Sequence, residues 1–457
     1  MKSLITKTLF RFSVLLFLAS FFYDSAEAQY VFSNDSLYKA GQENTGRIWG
    51  YVFGDFDYKS HADSLTRGNA NQYSGIPANK TQFAFRRIYL GYDYNITKKF
   101  TAELLLAAED NFPGGSPPGN GTFNLSTGLA TGDLTSNQKL TFYIKNADLR
   151  WKGIWKGTDL IIGQFSTPAF PQLSERVWSY RSIERTIADI RRTPSFDLGI
   201  GLQGVFDPAT KNYGYNVMVA NGTGDKPDNT TYKWFYGDVW AYFGHKHFVV
   251  DVYADYQRLN WTTIWHHSRQ MLKGFVAWNS AATDKSMNPG TGYTIGVEGF
   301  VNNLKNDNWA TTIAGPTDTI STTPTGLSLY IHGDIVPNKL RFFARFDMYN
   351  PINKVNTSVY NKYVANTGNY SDNSFHTVYN YTAAQPTVTY TATGDQTYKQ
   401  QFMTLGLDYK PTNRIHFMPN VWWNSYSSQI ASNKDHDLVW RLTFFFAFGK
   451  NYDNGGF

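Results

Sequence analysis

Leu438-Val-Trp-Arg-Leu-Thr-Phe-Phe-Phe-Ala-Phe448 decides the fold. Leu438, Trp440, Leu442, Phe444, Phe446 and Phe448 share one parity, and Val439, Arg441, Thr443, Phe445 and Ala447 share the other. Successive side chains of a β-strand point to opposite faces. One face is therefore wholly apolar and wants hydrocarbon, while the face with Arg441 and Thr443 wants water.

The same alternation recurs towards the N-terminus. Phe342, Ala344, Phe346 and Met348 oppose Arg341, Arg345 and Asp347, and Val250, Val252, Ala254 and Tyr256 oppose Asp251, Tyr253 and Asp255. Leu198, Ile200, Leu202 and Phe206 oppose Gly199, Gly201, Gln203 and Val205, and Ala102, Leu104, Leu106 and Ala108 oppose Thr101, Glu103 and Glu109. In a water-soluble sandwich the apolar faces would meet a second sheet. Connection lengths argue against that. Links at 95–98, 207–210, 244–247, 336–339 and 411–414 are short, and they alternate with long polar ones near 59–80, 110–138, 166–196, 302–325 and 351–398. Short turns on one rim and long loops on the other mark outer-membrane barrels. The reading is all-β, a transmembrane antiparallel up-and-down β-barrel of about sixteen strands. Their spans are near 47–58, 81–94, 99–109, 139–152, 158–165, 197–206, 211–221, 232–243, 248–258, 268–278, 292–301, 326–335, 340–350, 399–410, 415–427 and 437–448.

Two features fit awkwardly. The link 279–291 is long for the short-turn rim, and Trp49, Tyr51 and Phe53 share parity with Asp55 and Asp57. In two strands the apolar parity slips, at Arg86-Arg87 and at Lys145-Asn146. One extra residue on one strand, a β-bulge, accounts for each slip and turns both arginines away from lipid.

Aromatic residues make up 17% of the chain, which suits barrels with aromatic girdles. Cysteine is absent, so no disulfide contributes. The net charge of +6 comes with no basic run or basic helix, which argues against nucleic acid as a partner. Lys2, Lys7 and Arg11, the apolar run Phe12–Tyr23 and Ala26-Glu27-Ala28 read as a signal peptide over 1–28. Residues 29–46 read as a periplasmic leader and 47–457 as the barrel.

Motifs for catalysis or cofactors are weak. Gly199-Ile-Gly-Leu-Gln-Gly204 matches a dinucleotide-binding pattern, but it lies within an alternating strand and not at a strand–helix junction. His266-His267 lacks a visible third metal ligand. His332 and Asp334, inward on one strand, have no serine tied to them and read as a channel-lining pair. The expectation is no enzyme, no cofactor and no metal.

One segment breaks the strand pattern, PQLSERVWSYRSIERTIADIRRTP at 171–194. Ile183, Ile187 and Ile190 recur at helical spacing, and Ser182 is placed to cap the turn. The third long loop is thus predicted to carry a short amphipathic helix, and because the third loop of many outer-membrane channels folds inward and narrows the bore, it is expected to fold into the barrel. Its candidate constriction residues are Arg176, Arg181, Glu184, Arg185, Asp189, Arg191 and Arg192, with Glu184 and Asp189 pairing part of the arginine set. Inward Arg87, Arg341, Arg345, Asp347 and Arg441 complete the candidate pore lining. Such a ring of charge filters ions. The alternative is a surface helix packed on its neighbours.

The stretches FAFRRIYLGYDYNITKKFTAELLL (83–106), LIIGQFSTPAF (160–170), VWSYRSIERTIADIRR (177–192), DLGIGLQGVF (197–206) and LRFFARFDMYNP (340–351) resemble porins of Bacteroidetes, remote relatives of the phosphate-selective porins O and P. The resemblance spans most of the mature chain, and Trp178–Arg192 is its most specific part. It implies a bacterial outer-membrane location, passive diffusion of small hydrophilic solutes or ions, contact with outer-membrane lipids and a homotrimer. One departure is that GKNYDNGGF follows Phe448, the terminal aromatic of the last strand. Arginines favour a mild anion preference, and inward Glu103, Asp251, Asp255, Glu298, Asp334, Asp347 and Asp408 weigh against a strong one. Lumen aromatics such as Tyr253, Tyr330 and Trp422 suggest a saccharide channel as an alternative. A further alternative is a structural partner in an envelope complex, with its lumen blocked.

Overall fold

The computed structural model describes residues 43–64, 73, 76–109, 123–124, 129–130, 142–191, 194–224, 228, 231–258, 268–281, 292–312, 317–351, 360–365, 378–382, 385–390, 399–427 and 434–449. Sixteen antiparallel strands close into a barrel. They are β1 (Thr45–His61), β2 (Lys80–Asn95), β3 (Phe100–Glu109), β4 (Tyr143–Trp155), β5 (Thr158–Ser166), β6 (Phe196–Val205), β7 (Tyr213–Ala220) and β8 (Trp234–Phe243). The chain continues through β9 (Phe248–Arg258), β10 (Ser268–Asn279), β11 (Tyr293–Thr312), β12 (Thr325–Val336), β13 (Leu340–Asn350), β14 (Lys399–Thr412), β15 (Ile415–Ser427) and β16 (Lys434–Phe448). Each strand pairs with its sequence neighbours, and β1 closes on β16 from Gly50↔Phe448 to His61↔Leu438. Closure leaves no strand edge unpaired, as hydrocarbon requires.

The alternation of the last strand holds. Trp440, Leu442, Phe446 and Phe448 are exposed outward, and Val439, Arg441, Thr443, Phe445 and Ala447 are buried inward. Outward aromatics gather at the short-turn rim, with Phe100 against Trp151 and Phe206 against Tyr213 and Tyr215. This is an interfacial girdle.

The two parity slips are bulges. Between β1 and β2, Phe53 faces Arg87 and Gly54 faces Phe85, so Arg86 is the extra residue. Between β3 and β4, Leu105 faces Asn146 and Leu106 faces Ile144, so Lys145 is extra. Both bulges turn cations inward. Arg86 meets Asp55 at 3.0 Å, Lys145 meets Glu109 at 2.7 Å, and Arg87 also pairs with Glu109.

β1 begins at Thr45, two residues inside the expected leader. Its ambiguous face points inward throughout, and Trp49, Tyr51, Phe53, Asp55, Asp57 and Lys59 are all buried. The long link after β10 is closed at its base by Ser280 N–H donating to Tyr293 O at 2.9 Å.

The hydrophobic core lies inside the barrel. One cluster joins Tyr51, Tyr89, Val177, Trp178, Ile183, Tyr330, Phe343 and Phe445. A second joins Phe170, Ile187, Ala188, Tyr253, Met271, Phe300 and Tyr349. Both contain residues of the segment between β5 and β6, so that loop packs inside the barrel against its inner wall.

Candidate functional site

The loop between β5 and β6 folds inward, but not as the single helix the isoleucine spacing predicts. It forms two short turns, α1 (Ser174–Trp178) and α2 (Ile187–Ile190). Ser179 adopts a left-handed conformation, φ 63°, and ends α1, its N–H donating to Glu175 O. Trp178 Nε1 donates to Glu184 O at 2.8 Å and fixes the chain reversal. The cap of α2 is Thr186, whose hydroxyl accepts from Asp189 N, and not Ser182. Ile183 lies outside both turns and is fully buried. Burial of each such aliphatic side chain contributes about 1.5–3 kcal/mol, so tertiary packing overrides the helical period.

The wall grips this loop from β11 round to β16. Ala188 N donates to Glu298 at 3.2 Å. His332 Nε2 lies 2.9 Å from Val177 O, and the Trp178 ring sits 5.0 Å from that of Tyr330. Arg345 Nη1 donates to Arg185 O at 2.6 Å and to Glu184 O at 3.4 Å. Tyr180 donates to Asp408 at 3.2 Å, Trp422 Nε1 to Glu184 Oε2 at 2.8 Å, and Arg441 Nη1 to Ile183 O at 3.1 Å. Three inward wall side chains, Arg345, Trp422 and Arg441, thus hold the successive loop residues Ile183, Glu184 and Arg185.

Charge within the loop is largely paired. Arg181 bridges Glu175 and Asp189, the latter at 2.8 Å, and Arg185 lies 3.6 Å from Asp189. Although burial opposes ionisation, Arg181 and Arg185 hold the Asp189 carboxyl below the usual carboxylate range. Arg191 lies over the Tyr349 ring, 3.8 Å from its centroid. Along 167–191 only Pro171, Arg176, Arg185 and Asp189 are more than marginally exposed.

The opposite wall is carboxylate-rich. Asp251 meets Lys273 at 2.7 Å, Asp238 accepts from Asn216 Nδ2 at 2.7 Å, and Asp197 accepts from Tyr236 at 2.7 Å. Asp255 accepts from Tyr253 at 2.7 Å. Arg86, Arg87, Arg341, Arg345 and Arg441 lie on β2, β13 and β16, and these carboxylates on β6, β8 and β9. A closed sixteen-strand wall with its third long loop latched across the bore is a specific architecture.

The fold is that of the outer-membrane porins.

The outer membrane channel DcaP of Acinetobacter baumannii superposes with a TM-score of 0.54 at 11% identity, covering 90% of this chain and 100% of that one. OprB of Pseudomonas putida gives 0.49 at 12% identity, covering 90% and 94%. An anion-selective porin from Comamonas acidovorans gives 0.48 at 11%, covering 89% and 100%. No protein-family model and no curated protein matches the sequence. At 11% identity the likeness to DcaP speaks for the fold. A porin-type barrel with a lipid-facing apolar belt resides in the bacterial outer membrane.

Within this porin fold the candidate residues divide by role. Arg176 and Arg185 are the described loop arginines that reach water, whereas Arg181 and Arg191 are buried. Among the described residues Glu184 forms no ion pair with an arginine side chain. Its carboxylate accepts from Trp422 Nε1 and Arg185 N, because Trp178 pins its backbone and turns it to the wall. Arg345 and Arg441 face the lumen but serve the loop's carbonyls. Arg345 also pairs with Asp347, and Arg341 lies 3.3 Å from Asp334 and 3.1 Å from His332. Arg87 pairs with Glu109. Arg192 lies outside the described residues, as does His266-His267.

The candidate lining read from the sequence leaves out Glu175, Trp178, Tyr180 and Tyr73. Tyr73 donates to Asp55 at 2.7 Å and packs its ring on Trp422, 5.2 Å between centroids. The inward parity of Asp55 and Trp422 was a usable signal; that of the loop residues was not. Tyr330 and Trp422, read as possible sugar platforms, are covered by Trp178 and Tyr73 and have no open face.

Proposed function

We propose that this chain is a passive diffusion channel for small hydrophilic solutes and ions, not an enzyme, with its third long loop as the constriction. The observation that carries the reading is that loop, which crosses the lumen tethered by Arg345, Trp422 and Arg441 and keeps Arg176, Arg185 and Asp189 at its water-facing surface. Fixed charges in a narrow pore act on passing ions more strongly than in bulk water. Arg176 and Arg185 outnumber Asp189 there, which supports a mild anion preference. The quoted resemblance further supports a relationship to Bacteroidetes porins and a homotrimer. Planar-bilayer recording tests the reading. Open single channels with a reversal potential on the anion side are expected in a KCl gradient, and a silent membrane with correctly folded protein refutes it.

A second reading has its own observation. Nearly all of the loop and the inward wall is buried. That favours a barrel closed by its own loop and serving as a structural partner in the envelope. Its signature is the silent membrane, with conduction appearing once the loop tethers are cut.

A further inference from the structure

At the long-loop end of the closing seam, His61 of β1 meets Asp435 and His436 of β16. His61 Nε2 lies 2.8 Å from Asp435 Oδ1, and His436 Nδ1 lies 3.9 Å from the same oxygen. One ligating atom from each residue falls within 4.8 Å of the others. The two imidazoles stack, 4.1 Å between centroids and 16° between planes. The carboxylate is held in place by backbone donors, with Ser64 N–H on Oδ2 and His436 N–H on Oδ1, each at 2.8 Å.

We propose that His61, Asp435 and His436 form a binding site for a divalent transition metal such as zinc. Two imidazole nitrogens and one carboxylate oxygen are the donor set this class of ion prefers, with water in the fourth position. The side chains of His61 and His436 are 47% and 37% exposed, so solvent reaches that position and the site fills without opening the barrel. Magnesium, which demands oxygen ligands in an octahedron, is a poor match. His61 is far in sequence from Asp435 and His436, and only barrel closure unites them. His61 lies opposite Leu438 across a register shift in the β1–β16 pairing, and that local irregularity brings Asp435 and His436 round to it. A metal here ties the first strand to the last at the seam where closure is completed. By mass action, binding to the closed barrel alone stabilises it.

The test titrates zinc chloride, with magnesium chloride as control, into the full chain folded in detergent, followed by calorimetry. Wild type is expected to bind one zinc per chain and to unfold at higher temperature with zinc than with magnesium. His61→Ala/His436→Ala should weaken zinc at least ~10-fold, the scale on which metal sites respond to lost support. Asp435→Asn keeps an acceptor for Ser64 N–H and should weaken it as well while the barrel remains folded. His266→Ala/His267→Ala should leave affinity unchanged. Absence of zinc binding to wild type overturns the proposal. So does undiminished affinity in the folded Asp435→Asn variant, or loss confined to the His266→Ala/His267→Ala variant. These outcomes are independent of whether the channel conducts.

Discussion

Replacing Arg345 with methionine cuts one of the tethers between wall and loop and separates two roles of one side chain. The guanidinium is buried, donates to Arg185 O and Glu184 O, and pairs with Asp347 through Nε at 2.8 Å. It also lies 5.3 Å from the Trp178 ring and 5.6 Å from Phe402, contacts that methionine keeps in part. Removing one partner of a buried ion pair costs about 3–5 kcal/mol, because the other charge is stranded. The lost hydrogen bond at 2.6 Å is charge-assisted, a class worth about 1.5–3 kcal/mol. The two losses share a partner and are not additive. The single variant should therefore lose about 3–5 kcal/mol of stability in urea titrations of the folded barrel. Arg345→Met/Asp347→Leu removes the stranded carboxylate and should recover most of it. Neither variant retains the tether, so both should show raised and noisier single-channel conductance. Wild-type conductance in both variants would mean that Arg345 does not hold the loop. An unaltered urea midpoint for the single variant would mean that Asp347 is solvated and the pair is not a buried one.

Leu442→Arg places a charge on the lipid-facing side of β16 and should cost about 2–4 kcal/mol at mid-membrane, read as lost folding yield in vesicles against Leu442→Ile. Gly296→Ala puts a methyl group 2.1 Å from the Tyr330 ring, so overpacking of about 1–3 kcal/mol is expected, with loss of near-ultraviolet dichroism as the Trp178–Tyr330 contact opens. Arg176→Glu/Arg185→Glu should shift the reversal potential in a KCl gradient towards cations, and the shift should shrink in 1 M salt, where the Debye length is ~3 Å; an unchanged potential would put these side chains outside the conduction path.

Alternation made the barrel legible because lipid and water enforce it strand by strand. The same rule located bulges at Arg86-Arg87 and Lys145-Asn146, since an arginine left on the lipid side carries a penalty larger than a local kink. Parity tells which side a residue takes, not what it meets there. Thr443 is inward, as Arg441 is, yet its hydroxyl is fully buried between Asp55 and Asn420. A large charged residue at Thr443 is thus no benign counterpart to one at Leu442. Trp49, Tyr51 and Phe53 show the same limit. Their inward orientation follows from Asp55 and Asp57, but their aromatic character makes sense only with the apolar cluster they share with the loop residues Val177, Trp178 and Ile183.

The loop itself was half legible. Its broken alternation and its isoleucines point to helical turns but not to which side of the wall they take, and the left-handed Ser179 that divides it leaves no such mark in composition. That turn decides which arginines meet water. It sends Arg181 back onto Glu175 and Asp189 and leaves Arg176 and Arg185 at the surface. An excess of arginine suggests a strong field, but from Glu175 to Arg191 four arginines stand against three carboxylates. Most of that charge is spent on fastening, loop acid to loop arginine and wall arginine to loop carbonyl. If the proposed constriction conducts, the loop arginines a passing ion meets are Arg176 and Arg185, the latter beside Asp189. Reversing those two residues therefore changes the sign of the exposed charge, whereas reversing Arg181 breaks a fastening and changes the shape of the constriction.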